Sequence, residues 1–223
     1  MRAVMAVLRK DLRLELRSLE TIPTMVLFCI ATFVIFHFAL NQASITGQLA
    51  AGVLTVTILF AGLLGINRLF VAEREQGGFD GFLLAPVDRT AMLVAKAAAL
   101  FVFLAALEIV AVPAFAVLLL GVSLWHALPG LIAVLALADI ALAVIGTLVS
   151  AIAVQSRARD LIGPLLGLPL LIPALIGTAR AAGPLLTAHG PSAPAAKWLG
   201  IVALYDLVFA LLAYAVFDFL LED

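Results

Sequence analysis

The sequence has very little charge for its size. Of 223 residues only 12% are Asp, Glu, Lys or Arg, while 65% are hydrophobic. A soluble domain is about 45–50% apolar, so this composition excludes a soluble globular protein. Mean hydropathy, at +1.23, points the same way. Cysteine is nearly absent: Cys29 stands alone inside an apolar run, which excludes an intrachain disulfide and any CxxC metal or redox pair. Its thiol reads as a small core hydrophobe. There is no G-x-x-x-x-G-K-[ST] loop to cradle nucleotide phosphates, so this sequence does not carry its own P-loop ATPase. Tryptophan is limited to Trp125 and Trp198, and no C-x-x-C-H for covalent heme attachment occurs. With a net charge of −1 there is no basic surplus to suggest a nucleic-acid partner.

What is present is a series of long apolar runs. A spanning helix needs about 20 mainly apolar residues. Six segments meet this: Ile22 to Leu40, Leu49 to Leu69, Ala91 to Gly121, Leu128 to Val154, Leu161 to Thr178 and Trp198 to Leu221. The fold class expected is all-α, a polytopic membrane protein with six transmembrane helices in one domain, residues 1–223. Pro113 removes a backbone donor within the third run. The fifth, LIGPLLGLPLLIPALIG, contains Pro164, Pro169 and Pro173, and neighbouring helices must supply donors for the carbonyls these prolines free. A short re-entrant piece within residues 183–197 remains an open alternative.

The first twenty residues, MRAVMAVLRKDLRLELRSLE, do not read as a cleaved leader, since charges continue to Glu20. Val4, Val7, Leu8, Leu12 and Leu16 recur near helical spacing, with Arg2, Arg9, Arg13 and Arg17 mostly elsewhere around the helix. This predicts an amphipathic helix lying in the headgroup region; a frayed basic tail is the plainer alternative. Orientation follows from where lysine and arginine fall. Of 13, five precede the first span, four lie in or beside the second connection (Arg68, Arg74, Arg89, Lys96) and two in the fourth (Arg157, Arg159). Only Arg180 and Lys197 fall on the opposite side. Both termini are therefore expected in the cytoplasm.

One cytoplasmic connection is unusually polar. AEREQGGFDGFLLAP, residues 72–86, holds three acids, one arginine and three glycines. Phe79, Phe82 and Leu83 are spaced i, i+3, i+4, along one side of a short helix, with Asp80 nearer the other. Gly77 and Gly78 break a helix descending from the second span, and Pro86 ends the segment. Such an element suits docking into a groove on another protein, with aromatic anchors and peripheral charges. The competing reading is an interfacial connector whose phenylalanines rest in lipid.

EREQGGFDGFLLAP, followed ten residues later by Lys96, resembles the intracellular connection of ABC-2 class transporter permeases, in which an E-x-E-x-G segment leads into a coupling helix ending in proline. Residues 67–96 and the proline-rich LIGPLLGLPLLIPALI, residues 161–176, resemble more narrowly the cytochrome c-type biogenesis heme exporter protein B (CcmB) family. The resemblance implies a permease subunit, not itself an enzyme, in the bacterial inner membrane. It implies a separate CcmA-like ATPase that holds the ATP, CcmC-like and CcmD-like heme-handling proteins, and a CcmE-like heme chaperone in cytochrome c maturation. Heme is then the handled ligand, and no resident cofactor or metal is implied. By position, Glu73, Arg74, Glu75, Gly77, Asp80, Phe82, Leu83 and Pro86 match the coupling pattern, and the sequence departs from it at Gly78 and Phe79, where a polar and an aliphatic residue are common. An export permease for a drug or lipid-linked substrate is the first alternative.

Two further sets of residues stand out. Glu108, Asp139 and Asp206 lie within spans, where an ionised acid costs about 2.5–3.5 kcal/mol on insertion scales. Each is expected to face the bundle or be protonated, either as a neutral acid bonded to a neighbouring helix or as part of a proton or substrate path. The latter would suit a proton-coupled secondary transporter, a reading that leaves residues 72–86 unexplained. His37, His126 and His189 all fall near the periplasmic side of this topology. Imidazole ligates heme iron, and ordinary interfacial histidines are the alternative.

Overall fold

In a computed structural model, the described residues are 2–40, 44–68, 89–121, 124–155, 159–187 and 192–220. They form seven long helices: α1 (Arg2–Ser18), α2 (Thr21–Ala39), α3 (Gly47–Arg68), α4 (Arg89–Leu118), α5 (Leu128–Gln155), α6 (Arg159–Ala182) and α7 (Ala196–Leu220). Six of them, α2 to α7, are long and apolar enough to cross a membrane. The protein is thus an all-α polytopic membrane protein. The observed ends differ from the sequence expectation by a few residues, except at α6. There Leu161–Thr178 extends to Arg159–Ala182 and continues into a 3-10 turn, Gly183–Leu186. That turn packs on α3 with Gly183, Leu185 and Leu186 buried, so this piece of the 183–197 segment continues the fifth span.

Burial separates the spans into centre and rim. The spanning part of α3 is 72% buried and that of α5 67%, against 17% for α2 and for α7. Uniform hydrophobicity hides this, because lipid and protein interior select the same side chains. Glycine marks the close approaches. A Cβ on Gly146 of α5 would lie 2.5 Å from Ile66 of α3, and one on Gly177 of α6 would lie 2.5 Å from Val202 of α7. Buried hydroxyls are satisfied locally: Thr57, Thr147 and Thr178 donate to carbonyls four residues earlier, and Ser150 donates across to the Ile66 carbonyl at 2.9 Å.

At the proline-rich span a cross-helix bond comes from α7, but to a carbonyl beside a freed one rather than to the freed one itself. Pro173 frees the Pro169 carbonyl, and the Tyr205 hydroxyl donates at 2.6 Å to the adjacent one, Leu170. Cys29 is buried in α2 as a free thiol.

The two ends of the bundle are built differently. At one, Ile45 and the chain leaving α4 form an isolated parallel bridge, with Ile45 N–H donating to Leu119 O at 2.8 Å and Gly121 N–H to Ile45 O at 3.4 Å. His37, at the end of α2, lies 2.6 Å from the Leu118 carbonyl through Nδ1. At the other end, α1 packs on α4 and Arg68 closes α3 with a 2.7 Å ion pair to Glu20.

Candidate functional site

The polar end is assembled from α1 outwards. On its protein-facing side the buried side chains are Val7, Asp11 and Glu15, while Leu16 of the apolar stripe is 71% exposed at the outer surface. The helix therefore docks on the protein through an acidic seam, leaving Leu16 turned outward. Asp11 meets Lys96 of α4 at 3.0 Å, with both side chains almost wholly buried. Lys96, counted in the sequence as an orienting surface charge, is a structural ion-pair partner inside the fold. Burying one charge demands the other.

Glu15 answers a second need. The first turn of α2 carries unpaired N–H groups, and the Glu15 carboxylate accepts those of Thr21 at 2.8 Å and Ile22 at 2.7 Å. Pro23 has no N–H to satisfy. The turn between the helices places Leu19 at φ +50°, a left-handed conformation closed by its N–H on Glu15 O at 2.7 Å. These contacts hold a basic helix against α4 and the first turn of α2.

That connection carries the proposed coupling residues. Glu73, Arg74, Glu75, Gly77, Asp80, Phe82, Leu83 and Pro86 all lie outside the described residues. The ends that flank them, Arg68 of α3 and the start of α4, sit at the α1 end of the bundle.

The three acids within spans belong to three different helices: Glu108 to α4, Asp139 to α5 and Asp206 to α7. Asp139 is 1% exposed and Asp206 6%. Glu108 and Asp139 are electrostatic neighbours. The expected hydrogen bond to an adjacent helix is missing: Glu108 Oε1, Asp139 Oδ1 and both oxygens of Asp206 are buried without a partner among the described residues. This contrasts with the threonines, whose short hydroxyls reach their own backbone.

Among the histidines, His37 and His126 lie at the bridged end, opposite α1, and His189 lies outside the described residues. His37 donates Nδ1–H to the Leu118 carbonyl, which leaves Nε2 as the basic nitrogen. His126 is exposed beside the start of α5. Among the described residues, no group of three His, Cys, Asp or Glu side chains is placed to hold a metal ion.

The sequence profile of the family described as CcmB protein matches residues 2–219. The chain belongs to the CcmB family. It is 33% identical over 175 residues to the Heme exporter protein B of Rhodobacter capsulatus, covering 77% of this chain and 78% of that protein. Over 178 residues it is 32% identical to that of Bradyrhizobium diazoefficiens, covering 79% of each. The Paracoccus denitrificans protein of the same name is 30% identical over 181 residues, 79% of this chain and 80% of the relative. For a CcmB family member, the Asp11–Lys96 pair and the Glu15 cap are the features that sequence reading missed. The signal in the sequence was a lysine within an apolar helix, since Lys96 lies seven residues inside α4.

Proposed function

We propose that this chain is the membrane permease subunit of an ABC-type complex that exports or delivers heme for c-type cytochrome maturation. The carrying observation is the match to the CcmB family from residue 2 to 219 together with six spanning helices, in relatives named Heme exporter protein B. The subunit is non-catalytic, and a separate CcmA-like ATPase binds and hydrolyses ATP. Its contact is the segment containing Phe82 and Leu83, with Glu73, Arg74, Glu75 and Asp80 at the rim and Gly77 and Pro86 setting its ends. CcmC-like, CcmD-like and CcmE-like proteins complete the complex in the inner membrane, with both termini of this single-domain chain in the cytoplasm.

The position of α1 supports this arrangement. It brings a basic helix to the same end of the bundle as the flanks of the coupling segment, the distribution expected of a cytoplasmic face. On heme handling, the Nε2 of His37 and the ring of His126 are candidate transient ligands at the opposite face, with His189 the third.

The test is heme staining of covalent c-type cytochromes in cells lacking the gene, with b-type heme spectra as control. Selective loss of the c-type signal is expected, restored by the intact gene and not by Phe82→Asp with Leu83→Asp. The same double variant should release the ATPase from the purified complex. Unchanged c-type cytochromes would transfer the protein to export of another substrate, and retained ATPase would remove the coupling role of residues 72–86.

A further inference from the structure

Between α4, α5 and α7 lies a cavity of about 430 Å³, within the range that receives small ligands. Its wall is apolar, formed by Val94, Ala97 and Phe101 of α4, Ala143 of α5, and Ala210 and Tyr214 of α7. Val94 and Tyr214 are 48% and 63% exposed, so the cavity opens sideways through the outer surface of the bundle. A molecule reaches it from the bilayer.

The helical periods connect this cavity to the unpartnered acids. Glu108 is seven residues, two turns, beyond Phe101 on the same face of α4. Asp139 is four residues before Ala143, and Asp206 four before Ala210. Consecutive spans run in alternate directions, so α5 and α7 both run opposite to α4. Later on α4 and earlier on α5 and α7 are therefore the same end of the bundle. Continued one or two turns past the lining residues, all three stripes reach a carboxyl group at that end, and the lining itself, wholly apolar apart from Tyr214, includes no cationic side chain.

We propose that the α4–α5–α7 cavity binds a cationic amphiphile, its apolar body in the groove and its ammonium group on Glu108 and Asp139, with Asp206 facing it from α7. The chemistry on both parts of the site is complementary. Buried carboxyl oxygens without partners are costly, and an ammonium brings both three N–H donors and the opposite charge. The apolar wall contributes roughly 25 cal/mol for each Å² it removes from water. Anionic amphiphiles are rejected by the same acids, since like charges in a low-dielectric site repel strongly. Heme, with its carboxylate side chains, is disfavoured here, so the site is separate from the heme role proposed above.

The full chain in phosphatidylcholine nanodiscs should bind radiolabelled dodecylamine saturably. Unlabelled dodecylamine should compete at least tenfold better than dodecanol or dodecyl sulfate. Glu108→Gln with Asp139→Asn should weaken dodecylamine binding at least tenfold, and Ala210→Phe, which fills the groove from its exposed rim, should abolish it. Equal competition by the three head groups overturns the proposal, as does undiminished binding in either variant. If the carboxamide variant fails to fold, the head-group order in the unaltered protein and the Ala210→Phe result decide the matter. Unchanged c-type cytochromes in cells lacking the gene would overturn the heme role alone, and saturable, head-group-selective dodecylamine binding would still support this site.

Discussion

Single side chains account for the docking of α1. Lys96 and Asp11 form a 3.0 Å pair that is nearly sealed from solvent, and each compensates the other's lost hydration. Lys96→Met should therefore destabilise the protein by about 3 kcal/mol, because it leaves the buried Asp11 carboxylate with only the half-exposed Lys10, 3.5 Å away, as a partner. Adding Asp11→Leu should recover most of that loss, since an apolar pair needs no compensation. Thermal unfolding of the three variants in detergent measures both effects; equal loss in the single and double variants would show that the lysine matters for something other than the pair. By contrast, the exposed Arg68–Glu20 bridge contributes little, about 0–1 kcal/mol. The composition announced a basic amphipathic N-terminus, but not which side of it would be inside. Acids at positions 11 and 15 look like a solvated face until the buried lysine and the bare N-terminus of α2 are placed beside them.

Helices pack here through a core of large apolar side chains such as Phe33, Leu54, Ile58 and Leu100, with glycines at the closest approaches, and the glycines divide by what surrounds them. A methyl on Gly146 meets Ile66 at 2.5 Å and Leu100 at 3.1 Å, both buried, whereas nothing lies within 4 Å of one on Gly52. Gly146→Ala should thus cost about 1–3 kcal/mol through overpacking. Gly52→Ala should stabilise by about 0.5–1 kcal/mol, because alanine loses less chain freedom in a helix. Opposite shifts in the unfolding midpoint are expected, and shifts of the same sign would mean that the α3–α5 contact is not close. The six helices themselves were legible as apolar runs, since length and hydropathy alone define a span. Their order from centre to rim was not, because α3 and α7 are nearly equal in hydropathy and differ fourfold in burial.

The bundle as a whole has one face that holds α1, Arg68 and Lys96 and another that holds the Ile45 bridge, His37 and His126. Its only cysteine, Cys29, is buried, so introduced thiols can be read against a silent background. A maleimide that does not cross membranes should label His126→Cys in intact spheroplasts and Ala3→Cys only after lysis. The reverse pattern would invert the proposed topology and place residues 72–86 out of reach of a cytoplasmic ATPase.

By itself the sequence determined that the chain is a six-span helical membrane protein with a charge-segregated surface, because bilayer thickness and the cost of buried charge act on local composition. It also carried the family resemblance, through the residue 67–96 and 161–176 segments. The tertiary structure alone decided which acids are paired, which cap a helix, and which are buried without a partner. Those outcomes depend on what a distant helix presents at each position, and a span's own residues do not encode its neighbours.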